Sequence, residues 1–235
     1  MGGMDEQDKR LLDAIEQTWV VRPPRQALAT FGSTSVHYYL VASPVYREFN
    51  APGAAEESVV REGVVRADRP QVVTPHYLLR HEGFGDNAER YLQRLIEEYG
   101  PDEPGLMYHY KNEGGETSIV SGTVNEVSRR IIEWLDKEGK SLSAVIQGSD
   151  DLWDVSLMKF IQELTSRSAR QNASDLHAQG LLTMEGGVPM EGRRRIEWML
   201  EQARKGKLEP AEAHREMERW GVFDEYQDRF LKLFR

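Results

Sequence analysis

The chain has 235 residues, of which 39% are hydrophobic and 29% charged, a composition typical of a globular protein with a substantial core. It contains no cysteine, which excludes disulfides, thiolate metal sites and cysteine nucleophiles and suits a reducing cytoplasm. The formal net charge of −9 opposes broad nucleic-acid binding, which needs a basic surface, so we expect no nucleic-acid partner.

Membrane attachment and secretion are not expected either. No apolar run approaches the roughly 18 residues that span a bilayer. The N-terminal residues are acidic and lack the apolar stretch of a secretory signal. The sequence therefore predicts a soluble, cytoplasmic protein without a membrane partner.

The first part of the chain alternates helical and extended patterns. Apolar residues spaced by three and four predict helices, and runs rich in valine and aromatic residues predict strands. Pro23 and Pro24 end the first helix, because proline disfavours helix at its own position and at the residue before it. The predicted elements are a helix over residues 5–19, strands over 36–41, 58–66 and 70–74, and a helix over 87–99.

The middle of the chain adds a predicted hairpin and further helices. Gly114 and Gly115 lie between two extended runs, which predicts a hairpin turn. The helix that begins near residue 151 has a wide apolar face, which indicates burial on most sides. The predicted elements are hairpin strands over residues 106–111 and 117–120, a helix over 123–137, a strand over 142–146, a helix over 151–164 and helical segments to about 180.

The C-terminal part has only helical patterns. Gly186, Gly187 and Pro189 predict a linker, and helices are predicted over residues 193–205, 210–219 and 224–234. The sequence therefore predicts an α+β fold, with a mixed or antiparallel sheet, packed helices and an all-helical C-terminal tail. Its predicted division is an α+β body over residues 1–185 and a helical extension over residues 190–235.

The segment TPHYLLRHEGFGDNA, residues 74–88, holds two histidines that raise the question of a metal site. His76 and His81 are five apart, which misses the helical ligand spacing and puts them on opposite faces of a strand. Asp86 and Glu89 have the spacing of a capping box at the start of the next helix. The segment is therefore interpreted first as structural, and the two histidines are kept as candidate acid–base residues.

Three carboxylates follow a predicted buried strand in SAVIQGSDDLWD, residues 143–154. Oxygen ligands suit Mg²⁺ or Ca²⁺, so Asp150, Asp151 and Asp154 are weak metal candidates. Acidic residues also stabilise the positive end of a helix, and this simpler interpretation is preferred. We expect no metal and no cofactor.

Aromatic residues on the first predicted strand, VHYYLV, form another candidate group. His37 and Tyr39 are two residues apart and therefore share one face of a strand. Histidine and tyrosine on a sheet face can act as acid or base. The preferred interpretation is that they are half-buried sheet residues whose polar tips reach water.

The segment RPPRQALATFGSTS, residues 22–35, supplies candidate ligands for an anion. Arginine guanidinium groups recognise carboxylate and phosphate in a bidentate manner. The simpler interpretation is that these arginines pair with the surplus of acidic side chains. The candidate ligand-binding residues are Arg22, Arg25, Ser33, Thr34 and Arg69.

The C-terminal tail ends in a series of aromatic residues. Helices of this length are not stable alone, so they pack on their own body or on another chain. Aromatic side chains are frequent anchors of protein interfaces. The candidate interface residues are Trp220, Phe223, Tyr226, Phe230 and Phe234.

Two hypotheses about function remain open at this point. The first is a cytoplasmic, non-catalytic binding or regulatory protein that acts through contacts with another protein or with a second copy of itself. The second is an enzyme that acts on a small anionic molecule, bearing phosphate or carboxylate, with histidine acid–base residues. A pocket shared by the arginines and at least two histidines would favour the enzyme, and an exposed aromatic patch in the tail would favour the binding protein.

Overall fold

The computed structural model of the chain describes residues 5–46, 56–80 and 85–234. The predicted α+β class, with a mixed sheet, packed helices and a helical C-terminal part, is confirmed. Within these residues, no helix is both long enough and apolar enough to cross a bilayer.

The helices and strands are numbered here in chain order. They are α1 (Glu6–Glu16), β1 (Trp19–Arg22), β2 (Thr34–Ala42), β3 (Glu57–Ala67), β4 (Gln71–Val73), α2 (Pro75–Leu79), α3 (Asp86–Tyr99), β5 (Gly105–Met107), β6 (Tyr110–Ser121), α4 (Val124–Lys137), β7 (Ser143–Gly148), α5 (Trp153–Ala178), β8 (Met184–Glu185), β9 (Val188–Pro189), α6 (Met190–Arg204), α7 (Pro210–Trp220) and α8 (Phe223–Leu231).

The chain forms two compact units that are each discontinuous in sequence. The first comprises Met1–Arg69 and Tyr108–Asn172, and the second comprises Pro70–Met107 and Ala173–Arg235. The helices after residue 190 thus group with residues 70–107. The predicted division into a body over residues 1–185 and a helical extension over residues 190–235 stays a prediction.

The first unit is built on a five-stranded mixed sheet of order β1-β7-β2-β3-β6. β2 lies parallel to β7, and the other neighbouring strands are antiparallel. Because side chains alternate along a strand, the sheet buries apolar residues on both faces. Tyr38 and Leu40 pack with Phe160 of α5 on one face, and Val41 packs with Val127 of α4 on the other.

The predicted hairpin around Gly114 and Gly115 is wrong. Residues Tyr110–Ser121 form one continuous strand, β6, which pairs with β3 and shifts register opposite Arg61 and Gly63. A Cβ atom added to Gly115 would lie 2.9 Å from the carbonyl oxygen of Glu62. Gly115 therefore serves a close approach of two backbones at a bulge, which also favours glycine.

Two helix boundaries also differ from the predictions. The first helix ends at Glu16, and Trp19–Arg22 forms strand β1 beside β7, because a tryptophan and two valines suit an extended edge. The capping box predicted at Asp86 is wrong, because Gly85 is the N-cap of α3 and no side chain caps this end. Asp86 lies instead in the first turn, where its charge suits the positive end of the helix.

The second unit has its own core, formed by α2 and α6–α8 around Tyr77, Met217 and Trp220. A polar network is buried in it. Glu216 accepts hydrogen bonds from Arg195 Nε at 3.0 Å, from the Tyr77 hydroxyl at 3.0 Å and from the Trp220 indole nitrogen at 2.9 Å. The side chains of Arg195 and Glu216 are each only 6% exposed, so the pair is shielded from water.

Candidate functional site

A concave apolar surface of about 340 Å³, here called the α4 groove, lies between α4 and the sheet of the first unit. The sheet provides its floor and one flank of the helix provides its wall. The floor residues are Tyr39, Val60, Glu62, Ser118 and Val120, and the wall residues are Val127, Arg130, Ile131 and Trp134.

The groove exists because α4 starts directly after β6 and covers only part of the sheet face. A capping box fixes that start: the Thr123 amide donates to Glu126 Oε2 at 3.0 Å, and the Glu126 amide donates to Thr123 Oγ1 at 3.2 Å. The hydrogen bond from the Thr123 backbone also lowers the pKa of the Glu126 carboxyl. Leu135 is buried beneath the helix, whereas Trp134 on its flank stays 46% exposed.

Aromatic contact and balanced charge define the chemistry of the groove. The rings of Tyr39 and Trp134 meet edge to face with centroids 6.0 Å apart. Glu62 is the cross-strand partner of Tyr39, and Arg130 lies on the wall. Burial, and then the charge of Glu62, raise the pKa of the Tyr39 hydroxyl, which therefore stays protonated at neutral pH and can donate a hydrogen bond.

The histidines predicted as acid–base residues do not share a described pocket. His37 lies on the same face of β2 as Tyr39, as its spacing predicted, but it is exposed outside the groove. His76 belongs to the second unit, where Nδ1 lies 3.8 Å from Asp102 Oδ1. His81 lies outside the described residues. Of the catalytic candidates that the structure describes, Tyr39 alone lines the groove.

Arg22, predicted as an anion ligand, is buried, and its guanidinium is used inside the first unit. It pairs with Asp136 at 2.9 Å and donates to the carbonyl oxygens of Lys140, at 2.9 Å, and Ser143. Arg25 contacts the same Asp136 oxygen at 3.0 Å. These contacts match the simpler interpretation, in which the arginines pair with acidic side chains of the protein itself.

The remaining anion candidates do not gather around these arginines in a pocket either. Thr34 is buried, and its hydroxyl accepts a hydrogen bond from the Ala29 amide at 2.8 Å. Ser33 and Arg69 are exposed. The groove lining contains none of the five predicted ligand residues.

The aspartates proposed as metal ligands face different partners. Asp150 pairs with Arg61, and Asp151 pairs with Arg10, each at 2.7 Å. A hydrogen bond from the Ser149 hydroxyl, followed by the Arg10 interaction, lowers the pKa of Asp151. Asp154 is exposed and accepts from the Val155 amide. Across the described ranges, no three histidine or acidic side chains are grouped to hold a metal ion.

The predicted interface aromatics lie mostly inside the second unit. Trp220 and Tyr226 are each 7% exposed, and Phe223 and Phe230 pack edge to face with centroids 5.7 Å apart. Phe234 is 65% exposed. Packing within the unit therefore accounts for all of these residues except Phe234, and a role for the tail in an interface stays a prediction.

Sequence reasoning missed most of the groove and the exposure of one apolar stripe. Trp134 gave the clearest available signal for the groove, since it lies beside the apolar stripe of its helix. The apolar stripe that predicted the first helix is not buried, since its large side chains are 39–64% exposed. The stripe consists of Leu11, Leu12 and Ile15, with Trp19 at the start of β1.

Comparisons with known proteins assign no family to the chain and no function to the groove. No protein-family model matches the chain, no curated protein matches its sequence, and no solved structure matches its fold.

Proposed function

We propose that the protein is a cytoplasmic, non-catalytic binding protein that acts by holding a side chain of another polypeptide in the α4 groove. One observation carries this proposal. The groove joins an apolar floor to a wall on which Trp134 is 46% exposed and meets Tyr39 edge to face. Half-exposed aromatic side chains in an apolar groove are typical anchors of protein interfaces.

The charges in the groove support a polypeptide ligand over a small anion. Arg130 is the cation and Glu62 the anion of the lining, so the lining is neutral as a whole. An anion site would need an excess of cationic or amide donors. The enzyme hypothesis has less support, because Arg22 is engaged with Asp136 and the two described candidate histidines, His37 and His76, lie outside the groove.

The exposed stripe on α1 is a second reason to favour protein contacts. Leu11, Leu12 and Ile15 are 39–44% exposed, and Trp19 is 64% exposed. Exposed apolar patches on a folded protein mark interaction surfaces when their residues are contiguous. This stripe supports the functional class but does not define a ligand.

The proposal is tested by selecting a ligand and then blocking the groove. A random dodecapeptide library is selected on the intact protein, and the affinity of the best peptide is measured by fluorescence anisotropy. Ser118→Arg puts a charged side chain on the groove floor, while Ser166→Arg makes the same change on an exposed position of α5 outside the groove. We expect Ser118→Arg to weaken binding roughly tenfold or more and Ser166→Arg to leave it unchanged.

Two results would contradict the proposal. One is that no peptide is selected, or that the peptide binds the wild type and both variants equally. The other is a saturable rise in melting temperature with inorganic phosphate or citrate, which would return the enzyme hypothesis to first place.

A further inference from the structure

β6 lies at the end of the five-stranded order, and none of the strands in the described residues pairs with its outer side. The Gly122 amide donates to the carbonyl oxygen of Glu56 at 2.7 Å. Because hydrogen-bonded pairs alternate along an antiparallel ladder, the amide and carbonyl groups of Thr117, Ile119 and Ser121 point away from β3.

The two halves of this edge are protected very differently. Residues 110–116 carry the devices by which natural sheets block edge pairing, namely the charges of Lys111, Glu113 and Glu116 and a glycine bulge. Residues 117–121, here called the edge segment, have the sequence TSIVS, with no charge, glycine or proline. Ile119 at its centre is 59% exposed. The edge segment is therefore open to pairing with another strand at Thr117 and Ile119, whereas the outward carbonyl of Ser121 already accepts a hydrogen bond from Arg130.

The edge segment also borders the α4 groove. Ser118 and Val120, whose side chains lie on the opposite face to that of Ile119, form part of the groove floor. Arg130 reaches from the helix to the outward carbonyl of Ser121, at 2.5 Å. Residues that pair across neighbouring strands share a face, so side chains of an added strand opposite Ser118 or Val120 would lie at the mouth of the groove.

We infer that the polypeptide ligand is an extended segment that adds to the sheet as a sixth strand along residues 117–121 and inserts one bulky apolar side chain into the α4 groove. This inference rests on the proposed function and specifies the class of partner. The ligand is uncharged over the residues that pair with the edge segment. The ligand carries a basic residue toward Glu116, whose charge favours one, since Glu113 is already paired with Lys111 at 3.1 Å.

A second copy of the chain is a poorer occupant of this edge. Two copies paired through their edge segments would offer each other only Ser118 and Val120 on the groove face. These side chains are too short to fill a groove of about 340 Å³. Each chain also carries a net charge of −9, which opposes self-association.

The decisive variant is Ile119→Pro, tested with the selected dodecapeptide. The Ile119 amide points away from β3, so proline there removes no ladder hydrogen bond, and Ser118 before it is already extended. Ile119→Val keeps the amide and shortens the same side chain. We expect the proline variant to lose roughly tenfold or more in affinity and the valine variant to lose much less, with both folded by circular dichroism.

Amide hydrogen exchange in the wild-type protein gives an independent readout. On addition of the peptide, exchange at Thr117 and Ile119 should slow, while the amides of Ser118 and Val120, already paired with β3, should change little. This alternation distinguishes strand addition from the docking of a helix, which would leave the outward amides unprotected.

The possible outcomes separate the inference from the proposed function. If binding is lost in Ser118→Arg but the proline variant binds normally and no alternation appears, strand addition is wrong and the groove function stands. If no peptide binds, the proposed function is wrong, and the inference that rests on it is wrong as well. Alternating protection that appears without peptide and grows with protein concentration would assign the edge to a second copy and overturn the inference.

Discussion

Arg130 on the wall of the α4 groove donates a hydrogen bond to the carbonyl oxygen of Ser121, 2.5 Å away at the end of β6. This contact joins the helix to the open side of the sheet, so the groove and the strand edge form one continuous surface. It also satisfies one of the outward backbone groups that a lone edge strand would leave to water.

Removal of this contact should have a small effect on stability. Arg130 is exposed, so we expect Arg130→Ala to lower the free energy of unfolding by at most about 1 kcal/mol, measured by urea denaturation. Arg129→Ala, on the neighbouring exposed position of α4, is the matched control and should change the free energy less. A loss above about 3 kcal/mol would mean that the contact holds α4 in place, contrary to this account.

The two adjacent glycines at the bulge in β6 should differ in how well they tolerate a side chain. A Cβ at Gly115 would lie 2.9 Å from the Glu62 carbonyl oxygen, whereas a Cβ at Gly114 would meet nothing within 4 Å. We expect Gly115→Ala to destabilise the protein by about 1–3 kcal/mol and Gly114→Ala by less than about 0.5 kcal/mol. Equal midpoints in urea for the two variants would argue against the bulge and in favour of a turn.

Breaking the buried ion pair between Arg195 and Glu216 in the second unit should strongly destabilise the protein. Glu216→Ala leaves Arg195 buried without its carboxylate and should cost about 3–5 kcal/mol, read from urea unfolding followed by Trp fluorescence. The double variant Arg195→Met/Glu216→Leu should be less destabilised than Glu216→Ala, because it also removes the guanidinium that the single variant leaves buried without Glu216. Glu201→Ala, at an exposed ion pair with Arg204, is the control and should leave the midpoint unchanged. A mild effect of Glu216→Ala would show that water reaches Arg195.

The contribution of Tyr108 to the stability of the folded protein should be lost at high pH. Its hydroxyl donates to Asn172 Oδ1 at 2.8 Å, and burial, followed by the neighbouring Tyr110, raises its pKa from 10.0 to about 12. Because the folded-state pKa is the higher one, this contribution is complete below about pH 10 and is lost as the pH rises toward 12. The stability difference between wild type and Tyr108→Phe should thus be constant below about pH 10 and shrink above it, in urea titrations at several pH values. A difference that stays constant up to about pH 12 would contradict the assignment.

The strands that could be predicted from the sequence are those whose local pattern is decisive. Residues 36–41 and 58–66 were predicted as strands because valine and aromatic residues dominate them, and they lie within β2 and β3. β1 was missed because Trp19 also continues the apolar stripe of α1. The glycine pair at 114–115 is equally typical of a turn and of a bulge, and only its neighbour Glu62 on β3 distinguishes them.

The candidate site was less accessible to sequence reasoning, for a physical reason. Tyr39 was singled out because alternation fixes the face on which it lies. Glu62, Ser118 and Trp134 come from three other elements, and they meet only because β3 lies between β2 and β6 beneath α4. That order is set by long-range strand pairing, which no local pattern encodes.

The most direct test of the central claim is to locate a bound peptide by nuclear Overhauser effects. The selected dodecapeptide, unlabelled, is added to protein that carries isotope-labelled methyl groups. We expect contacts from one apolar side chain of the peptide to the methyls of Val120 and Ile131, which line the α4 groove. Contacts to Leu11 and Leu12 on α1, with none to Val120 or Ile131, would contradict it and move the binding surface to the exposed stripe of the first helix.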